Sequence, residues 1–374
     1  MKPRFMQGNE ACAEGAMLAG CRFFAGYPIT PQSEIMRYMA EKLPKLGGVY
    51  IQAEDEIAAI CSVIGASWAG AKAMTATSGP GFSLMQEALS YAVMTETPLV
   101  VVDVQRLGPS TGQATKCGQG DIMQSRWGRH GDQALVVLAP YSPQEMLELT
   151  ARAFSIACKL RTPVIVLSDE TVAHMREEVY IPEGLEAPEP PRPKPGEAEF
   201  FGSREPAGVP PMPRVGDGFN VMVTGSTHDS RGYRKTADPQ VHRRLVTRIV
   251  AKIESREPEL RDIDYYGVES PELLLVAVGS AARSVKEAVR RLLSRGVRAA
   301  LFRPRTLFPF PASALSQLAE EAKAVLVVEL NLGQLIEEVR KHIKPPCRVE
   351  GLNKIGGGEP IAPSEVEKAA ARLL

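Results

Sequence analysis

Short apolar runs alternate with helical stretches along the first half of this chain, and no other feature limits its fold as much. Between about residues 8 and 180, the runs that indicate strands are 23–25, 49–52, 72–77, 98–104, 134–138 and 163–167. The run 98–104 is nearly continuous in β-branched residues, as strands buried on both faces of a parallel sheet are. Strands and helices that alternate in this way form a parallel α/β sheet. We therefore predict the α/β fold class.

The chain divides into two α/β segments separated by a proline-rich stretch. We predict a first α/β domain over residues 1–181 and a linker over 182–218. A connecting segment follows over 219–271, and a smaller C-terminal α/β domain over 272–374. Ten prolines fall between residues 182 and 213, a composition that cannot form a packed core. Within the connecting segment, Asn220–Thr224 is predicted to be a strand and Val241–Glu257 a basic helix.

Charge and cysteine usage exclude several classes of protein. The 44 basic and 44 acidic residues cancel, so neither nucleic acid nor an anionic membrane is indicated as a partner. The apolar runs are too short to span a bilayer, and the N-terminus lacks the apolar region of a signal peptide. No two of the six cysteines have CxxC spacing, which favours free thiols in a reducing compartment. We expect a cytoplasmic protein without a metal-ligand set of its own.

Polar side chains follow three predicted strands of the first domain. The segments are Tyr27–Glu34, Gln52–Glu56 and Gln105–Gly112. In an open α/β sheet, the turns at the carboxyl ends of the strands gather at one edge, where ligands bind. We therefore expect the hydroxyl of Thr30, the carboxylate of Glu54 and the guanidinium of Arg106 to converge there.

These residue types also have simpler structural roles. Pro31 is well placed as the first residue of a helix, with Thr30 as its N-cap. Glu54, Asp55 and Glu56 form an acidic cluster of the kind that stabilises the first turn of a helix. Ser78-Gly79-Pro80-Gly81 is predicted to be a tight turn that leads into a helix over 82–93. The sequence alone leaves the structural and functional roles open.

The order of the motifs resembles that of a known family. The motifs are YPITPQSE (27–34), QAEDE (52–56), TSGPG (77–81), QRLGPSTG (105–112), GRHGD (128–132), GSTHD (225–229), RPRTLFPFP (303–311), ELNLGQ (329–334) and NKIGG (353–357). Together they resemble the alpha subunit of two-subunit 2-oxoacid:ferredoxin oxidoreductases, most closely the 2-oxoglutarate type. The resemblance covers essentially the whole chain.

The resemblance implies a reaction and a division of labour between two chains. Such enzymes decarboxylate a 2-oxoacid oxidatively with coenzyme A and pass the electrons through iron–sulfur clusters to ferredoxin. The alpha chain holds the pyrimidine of thiamine diphosphate, and the beta chain holds the diphosphate, Mg²⁺ and a [4Fe-4S] cluster. The implied fold is a pyrimidine-type parallel-sheet domain followed by a smaller domain like the C-terminal domain of transketolase. Gly216-Asp217-Gly218 has no asparagine at the spacing of a thiamine-diphosphate magnesium motif, so we interpret it as a turn.

The resemblance also implies roles for individual residues. Glu54 matches the glutamate that hydrogen-bonds the pyrimidine, and it would act best partly desolvated with a raised pKa. Its rivals are Asp55 and Glu56. Arg106 would bind the substrate carboxylate through bidentate bonds, and Thr30 would bond the 2-oxo oxygen.

Further contacts are expected on both sides of this site. Pro28 and Ile29 would line the cofactor beside Thr30. Ser110, Thr111 and His130 are candidates for contacting the distal part of the substrate.

Two other functions remain as alternatives. The chain would also suit the pyrimidine-binding subunit of a non-oxidative thiamine-dependent decarboxylase, although such subunits lack a C-terminal extension like residues 272–374. A non-catalytic partner subunit is the second alternative, against which Glu54 and Arg106 argue. The preferred 2-oxoacid (2-oxoglutarate, pyruvate or a branched acid), the direction of the reaction and the αβ or (αβ)₂ assembly stay open.

Overall fold

The computed structural model of the chain describes residues 3–374, so residues 1 and 2 of the predicted first domain lie outside it. The strands are β1 (Arg4–Gln7), β2 (Phe23–Gly26), β3 (Val49–Gln52), β4 (Ala73–Thr77), β5 (Leu99–Gln105), β6 (Val136–Leu138), β7 (Pro163–Asp169), β8 (Arg176–Val179), β9 (Ile263–Gly267), β10 (Leu273–Val276), β11 (Ala299–Pro304), β12 (Thr306–Phe308), β13 (Ala324–Glu329) and β14 (Arg348–Asn353). The helices are α1 (Gly8–Leu18), α2 (Ser33–Lys42), α3 (Glu56–Trp68), α4 (Gly79–Leu84), α5 (Gln86–Met94), α6 (Ile122–Trp127), α7 (Pro143–Leu160), α8 (Glu170–His174), α9 (Pro239–Glu254), α10 (Glu257–Leu260), α11 (Gly279–Ser294), α12 (Ala312–Leu318), α13 (Leu335–Arg340) and α14 (Pro363–Ala370). The predicted α/β fold class is confirmed.

The larger sheet has the strand order β12-β6-β7-β5-β4-β2-β3. Its strands are parallel except for β12, which pairs antiparallel with β6. Every residue of β5 is buried, because parallel neighbours flank the strand and helices cover both of its faces. The carboxyl ends of β2, β4 and β5 lie side by side, so the turns that follow these strands meet at one edge of the sheet.

A smaller sheet has the order β14-β13-β10-β11-β9, with β9 antiparallel to its neighbour and the other pairs parallel. The predicted segmentation places residues 219–271 outside both domains. In the structure, however, β9 within that segment pairs with β11, and its side chains are only partly buried, which weakens its apolar signal. The chain then crosses back after β11, and Thr306–Phe308 extend the larger sheet. The chain thus adds one edge strand, β12, to the larger sheet between two strands of the smaller sheet, β11 and β13.

The proline-rich segment is packed against the first domain, contrary to the expectation that it contributes nothing to a core. Phe200, Phe201 and Met212 are each 2% exposed and belong to the main hydrophobic cluster. The buried guanidinium of Arg161 donates hydrogen bonds to the carbonyls of Phe200, Pro210 and Pro211. Extended proline-rich backbone has free carbonyls, which these donors satisfy.

Helix α9 is attached to the first domain by a buried cluster of charges. Glu96 is fully buried, and its carboxylate accepts bonds from Arg248 at 2.8 Å and Lys252 at 2.7 Å. Burial opposes ionisation of Glu96, but the two cations outweigh it and hold its pKa below the usual range. Asn220–Thr224, just before this helix, is not a strand, so that prediction was wrong.

Within residues 3–374, no helix combines the length and the apolar content that crossing a bilayer requires.

Candidate functional site

Two of the predicted residues meet at the carboxyl edge of the larger sheet. Arg106 directly follows β5, and its Nη1 donates a hydrogen bond of 2.9 Å to the backbone carbonyl of Thr30, in the turn after β2. The side chain of Arg106 is 8% exposed, while Thr30 is half-buried. The structure thus brings together two residues that are 76 positions apart in the sequence, as the motif argument predicts.

Thr30 is not a helix cap, and that alternative is wrong. Helix α2 begins at Ser33, and the residue at its N-cap position is Gln32, whose Nε2 donates to the carbonyl of Tyr27 instead. The carbonyl of Thr30 is engaged by Arg106, so the turn is shaped by contacts across the sheet edge. Pro28 is exposed and Ile29 is half-buried in the same turn.

The three acidic residues before α3 occupy different environments. Glu54 is exposed, whereas the sequence analysis expects a partly desolvated carboxyl at this position. Asp55 is the N-cap of α3, and its Oδ1 accepts a bond of 2.7 Å from the backbone nitrogen of Ala58. Glu56 is 4% exposed, and its pKa is raised first by burial and then by Asp55, while Arg106 acts in the opposite direction. Of the three, Glu56 has the environment of a site carboxyl.

The first turn of α4, Gly79–Gly81, packs so closely against neighbouring side chains that residue 81 has no room for a side chain of its own. We call this turn the cradle. A Cβ atom on Gly81 would lie 2.2 Å from Thr77 Oγ1 and 2.3 Å from Glu56 Oε1. A Cβ atom on Gly79 would lie 3.2 Å from a carboxylate oxygen of Asp121. The predicted boundary at residue 82 is corrected, because α4 already begins at Gly79, with Ser78 as its N-cap. The backbone therefore approaches two carboxyl groups closely.

Buried polar atoms without partners surround this cradle. Arg106 Nε and Ser78 Oγ are shielded from solvent and have no hydrogen-bond partner among residues 3–374. Buried polar groups in folded proteins are almost always paired, so such atoms at a sheet edge indicate a place for a ligand. The guanidinium, the hydroxyl and the Glu56 carboxyl together offer donors for an anionic group and a carboxyl for a ring nitrogen.

The sequence analysis missed a pair of aspartates beside the cradle, of which Asp103 is buried and Asp121 half-buried. Asp103 lies in β5 and is 0% exposed, and Asp121 directly precedes α6. An aspartate inside the apolar run 98–104 was the available signal, because a strand buried on both faces does not tolerate an isolated charge.

The residues proposed for the distal part of the substrate are dispersed. Ser110 and Thr111 are exposed in the loop that follows Arg106. His130 is also exposed and lines a separate cleft with Tyr91 and His242, to which none of Thr30, Glu56 and Arg106 belongs. The role of His130 at the distal part of the substrate therefore stays a prediction.

The loop between Arg106 and α6 is held by the smaller sheet. Gln119 is fully buried, and its Nε2 donates to Asp169 at 3.1 Å and to the carbonyl of Val278 at 2.9 Å. Gln334 Nε2 donates to the carbonyl of Gly120, and its Oε1 accepts from the backbone nitrogen of Met123. The smaller sheet thus supports the segment that carries the predicted substrate residues.

Among residues 3–374, no group of three or more His, Cys, Asp or Glu side chains is arranged to hold a metal ion. Gly216–Gly218 lies in an exposed turn, in which Asp217 Oδ2 accepts from the backbone nitrogen of Arg214.

Replacement of Asp55 tests its role as a helix cap. We expect Asp55→Ala to lower the free energy of unfolding by about 0.5–2 kcal/mol, because the backbone nitrogen of Ala58 loses its acceptor. Asp55→Asn retains an acceptor and serves as the control. Urea denaturation followed by circular dichroism measures both variants. Equal destabilisation by alanine and asparagine would contradict the capping role.

Comparisons with known proteins match both parts of the chain. The family described as "Pyruvate flavodoxin/ferredoxin oxidoreductase, thiamine diP-bdg" matches residues 14–248, and "Pyruvate:ferredoxin oxidoreductase core domain II" matches residues 271–366. The chain is similar to 2-oxoglutarate synthase subunit KorA of Methanocaldococcus jannaschii, with 51% identity over 99% of both chains.

Two solved structures are also similar. The first is 2-oxoglutarate:ferredoxin oxidoreductase from Magnetococcus marinus with 2-oxoglutarate, coenzyme A and succinyl-CoA bound. It has a TM-score of 0.92 and 33% identity; the similarity covers 99% of this chain but only 65% of that one. A split-gene transketolase has a TM-score of 0.57 over 98% of this chain and 96% of that one, and its identity of 14% shows the fold alone. The predicted thiamine-type fold is confirmed.

Proposed function

Since the chain belongs to the 2-oxoacid:ferredoxin oxidoreductase family as an alpha-type subunit, we propose that it supplies the pyrimidine-binding half of a thiamine-diphosphate site. The reaction is the coenzyme A-dependent oxidative decarboxylation of 2-oxoglutarate, with ferredoxin as the electron acceptor. The observation that carries the proposal is the buried Glu56 carboxyl beside the Gly79–Gly81 cradle and within electrostatic reach of Arg106.

The residues at this edge fit the cofactor. Thiamine diphosphate, when bound, supplies a thiazolium carbon that stabilises the negative charge left by decarboxylation. Burial raises the pKa of Glu56, which favours the protonated carboxyl that would bond a pyrimidine nitrogen. Gly81 has no side chain, which lets the Glu56 carboxyl and the Thr77 hydroxyl pack against the backbone of α4 and fixes the position of the carboxyl. We assign to Glu56 the role first expected of Glu54, because Glu54 is exposed.

Arg106 is proposed to bind the carboxylate that every 2-oxoacid carries. Its Nη1 is held by Thr30, while its buried Nε has no partner among residues 3–374. A guanidinium fixed at the end of a rigid strand presents its remaining donors in a defined direction. Thr30 lies with Pro28 and Ile29 in the turn after β2; Pro28 and Ile29 would contact the cofactor, and Thr30 would orient the 2-oxo oxygen. Ser110 and Thr111 remain candidates for the distal group of the substrate.

The surface next to Glu56 supports a partner subunit. Three apolar side chains are exposed on edge strand β3 and helix α3, namely Ile51, Ile57 and Cys61. Neighbouring exposed apolar side chains of this kind are typical of a surface that another protein covers. We propose that the beta subunit covers this face and supplies Mg²⁺, the diphosphate contacts and the [4Fe-4S] cluster. Because the six cysteines are free thiols, we also propose a cytoplasmic location.

2-Oxoglutarate is the favoured substrate because the names of the M. jannaschii relative and of the M. marinus structure both contain it. Reconstitution with the beta subunit tests the function. We expect release of labelled CO₂ from 2-oxoglutarate that requires both coenzyme A and ferredoxin, with pyruvate and branched acids as poorer substrates. Release of an aldehyde without ferredoxin would instead establish the non-oxidative decarboxylase.

A further inference from the structure

Asp103 is a buried acid with no visible function in the fold. It lies in β5, is 0% exposed, and pairs in register with Thr77 of β4 and Leu167 of β7. Neither of its carboxyl oxygens has a hydrogen-bond partner among residues 3–374. An ionised carboxylate in such a place is costly unless it is paired, so this group must share or retain a proton.

Asp121 is the neighbour that explains how the proton is held. Its backbone nitrogen donates to Gln105 Oε1 at 3.0 Å, its side chain contacts that of Asp103, and its Oδ2 is shielded from solvent without a donor. Burial, followed by the contact with Asp121, raises the pKa of Asp103 well above its usual range. Burial also raises the pKa of Asp121 to about 6. Two coupled buried acids of this kind hold one proton between them near neutral pH.

The pair lies next to the proposed site. The first turn of α4 lies between the aspartate pair and Glu56, since Gly79 approaches Asp121 and Gly81 approaches Glu56. Thr77 pairs in register with Asp103, and its hydroxyl lies near Gly81 and Glu56 and donates to the carbonyl of Ser78.

One cation lies close to two of these carboxyl groups. The charge of Arg106 lowers the pKa of both Asp121 and Glu56. The neighbouring strands β4 and β7 present the uncharged Thr77 and Leu167 in register with Asp103, and the start of α4 adds the hydroxyl of Ser78. The other acids on the surrounding elements are Asp169 at the end of β7, which is held by its own hydrogen bonds, and Asp55 at the N-cap of α3, which raises the pKa of Glu56.

We propose that Asp103 and Asp121 share one proton, and that the single negative charge left on the pair, across the first turn of α4, favours the protonated form of the Glu56 carboxyl. The pair acts through Glu56 and is therefore a positioning pair. The inference rests on the proposed function in taking Glu56 as the site carboxyl.

Infrared spectroscopy of the full-length chain without its partner or cofactor tests the pair, because protonated carboxyl groups absorb separately from carboxylates. Comparison with Glu56→Gln identifies the signal of Glu56. We expect Asp103→Asn to remove one protonated carboxyl at pH 7.5. We expect Asp121→Asn to shift the titration of Glu56 downward by roughly one pH unit, because the negative charge of the pair is lost. Both substitutions retain the shape of the side chain. The carboxyl groups of the unmodified chain are titrated as well, and that measurement does not depend on the folding of any variant.

Asp169→Asn is the matched control. Asp169 is also a buried aspartate at a strand end, but it accepts bonds from Val172, Ser280 and Gln119, so its replacement should leave the Glu56 titration unchanged. An unchanged carboxyl signal in Asp103→Asn, or an unshifted Glu56 titration in Asp121→Asn, would overturn the proposal. Because these spectra involve no turnover, such a failure differs from a failure of the proposed function, which would show as an absence of 2-oxoacid decarboxylation in the reconstituted complex.

Discussion

Glu56→Gln is expected to lower kcat of the reconstituted complex by roughly 10²–10⁴-fold, the range for loss of a positioned acid–base group. The carboxyl of Glu56 is buried and burial raises its pKa, so it is suited to hold and to transfer a proton at the site. Glutamine keeps the size of the side chain but neither gains nor loses a proton. Steady-state kinetics with saturating cofactor and 2-oxoglutarate measure the loss.

Glu54→Gln is the matched control for this substitution. Because Glu54 is exposed, its replacement should change both stability and kcat little, with a cost below about 0.5 kcal/mol in unfolding free energy. If Glu54→Gln abolished turnover while Glu56→Gln retained it, the original assignment from the motif would be correct, and the assignment from burial would be wrong.

Arg106→Lys is expected to lower kcat/KM by about ten- to hundredfold for every 2-oxoacid tested. Lysine keeps the positive charge but loses the planar fork, and charge-assisted bonds of this kind contribute roughly 1.5–3 kcal/mol. Lysine also loses the geometry that satisfies the carbonyl of Thr30 while leaving other donors for the ligand. The measurement is steady-state kinetics with 2-oxoglutarate and pyruvate in parallel.

The pattern across substrates decides the role of Arg106. The two acids share the 2-oxo group and the carboxylate that leaves as CO₂, and they differ in the distal carboxylate of 2-oxoglutarate, so a similar loss for both means that Arg106 acts on the shared end of the substrate. A loss on 2-oxoglutarate alone would mean that Arg106 contacts the distal carboxylate, and the proposed role would be wrong. Ser110→Ala should instead change the preference between the two acids, since Ser110 lies in the loop beyond Arg106.

Much of the fold was predictable from strands buried on both faces. The run 98–104 is apolar and β-branched because both faces of β5 are covered, so its sequence alone indicated a central strand. Strand β9 was missed because its side chains are only partly buried, and β12 was missed because its three residues pair with a strand 168 positions away. Pairing partners that distant leave no local signal.

The site was predictable in outline, but its chemistry was not. Thr30 and Arg106 were found because each follows a strand of the same sheet, and the order of strands decides which ends meet. The choice among Glu54, Asp55 and Glu56 depends on which side of α3 faces the sheet, and three adjacent acids do not reveal this. The pairing of Asp103 with Asp121 depends on how the loop 107–120 is held by the smaller sheet, which no local pattern encodes.

Exchange of the C2 proton of thiamine diphosphate, followed by nuclear magnetic resonance after rapid mixing of the reconstituted complex with D₂O, tests the central claim most directly. The exchange depends on the carboxyl that bonds the pyrimidine and needs neither substrate nor ferredoxin. We expect normal exchange in Glu54→Gln and Asp55→Asn, and exchange slowed by at least about a hundredfold in Glu56→Gln. Exchange at the normal rate in Glu56→Gln would contradict the account.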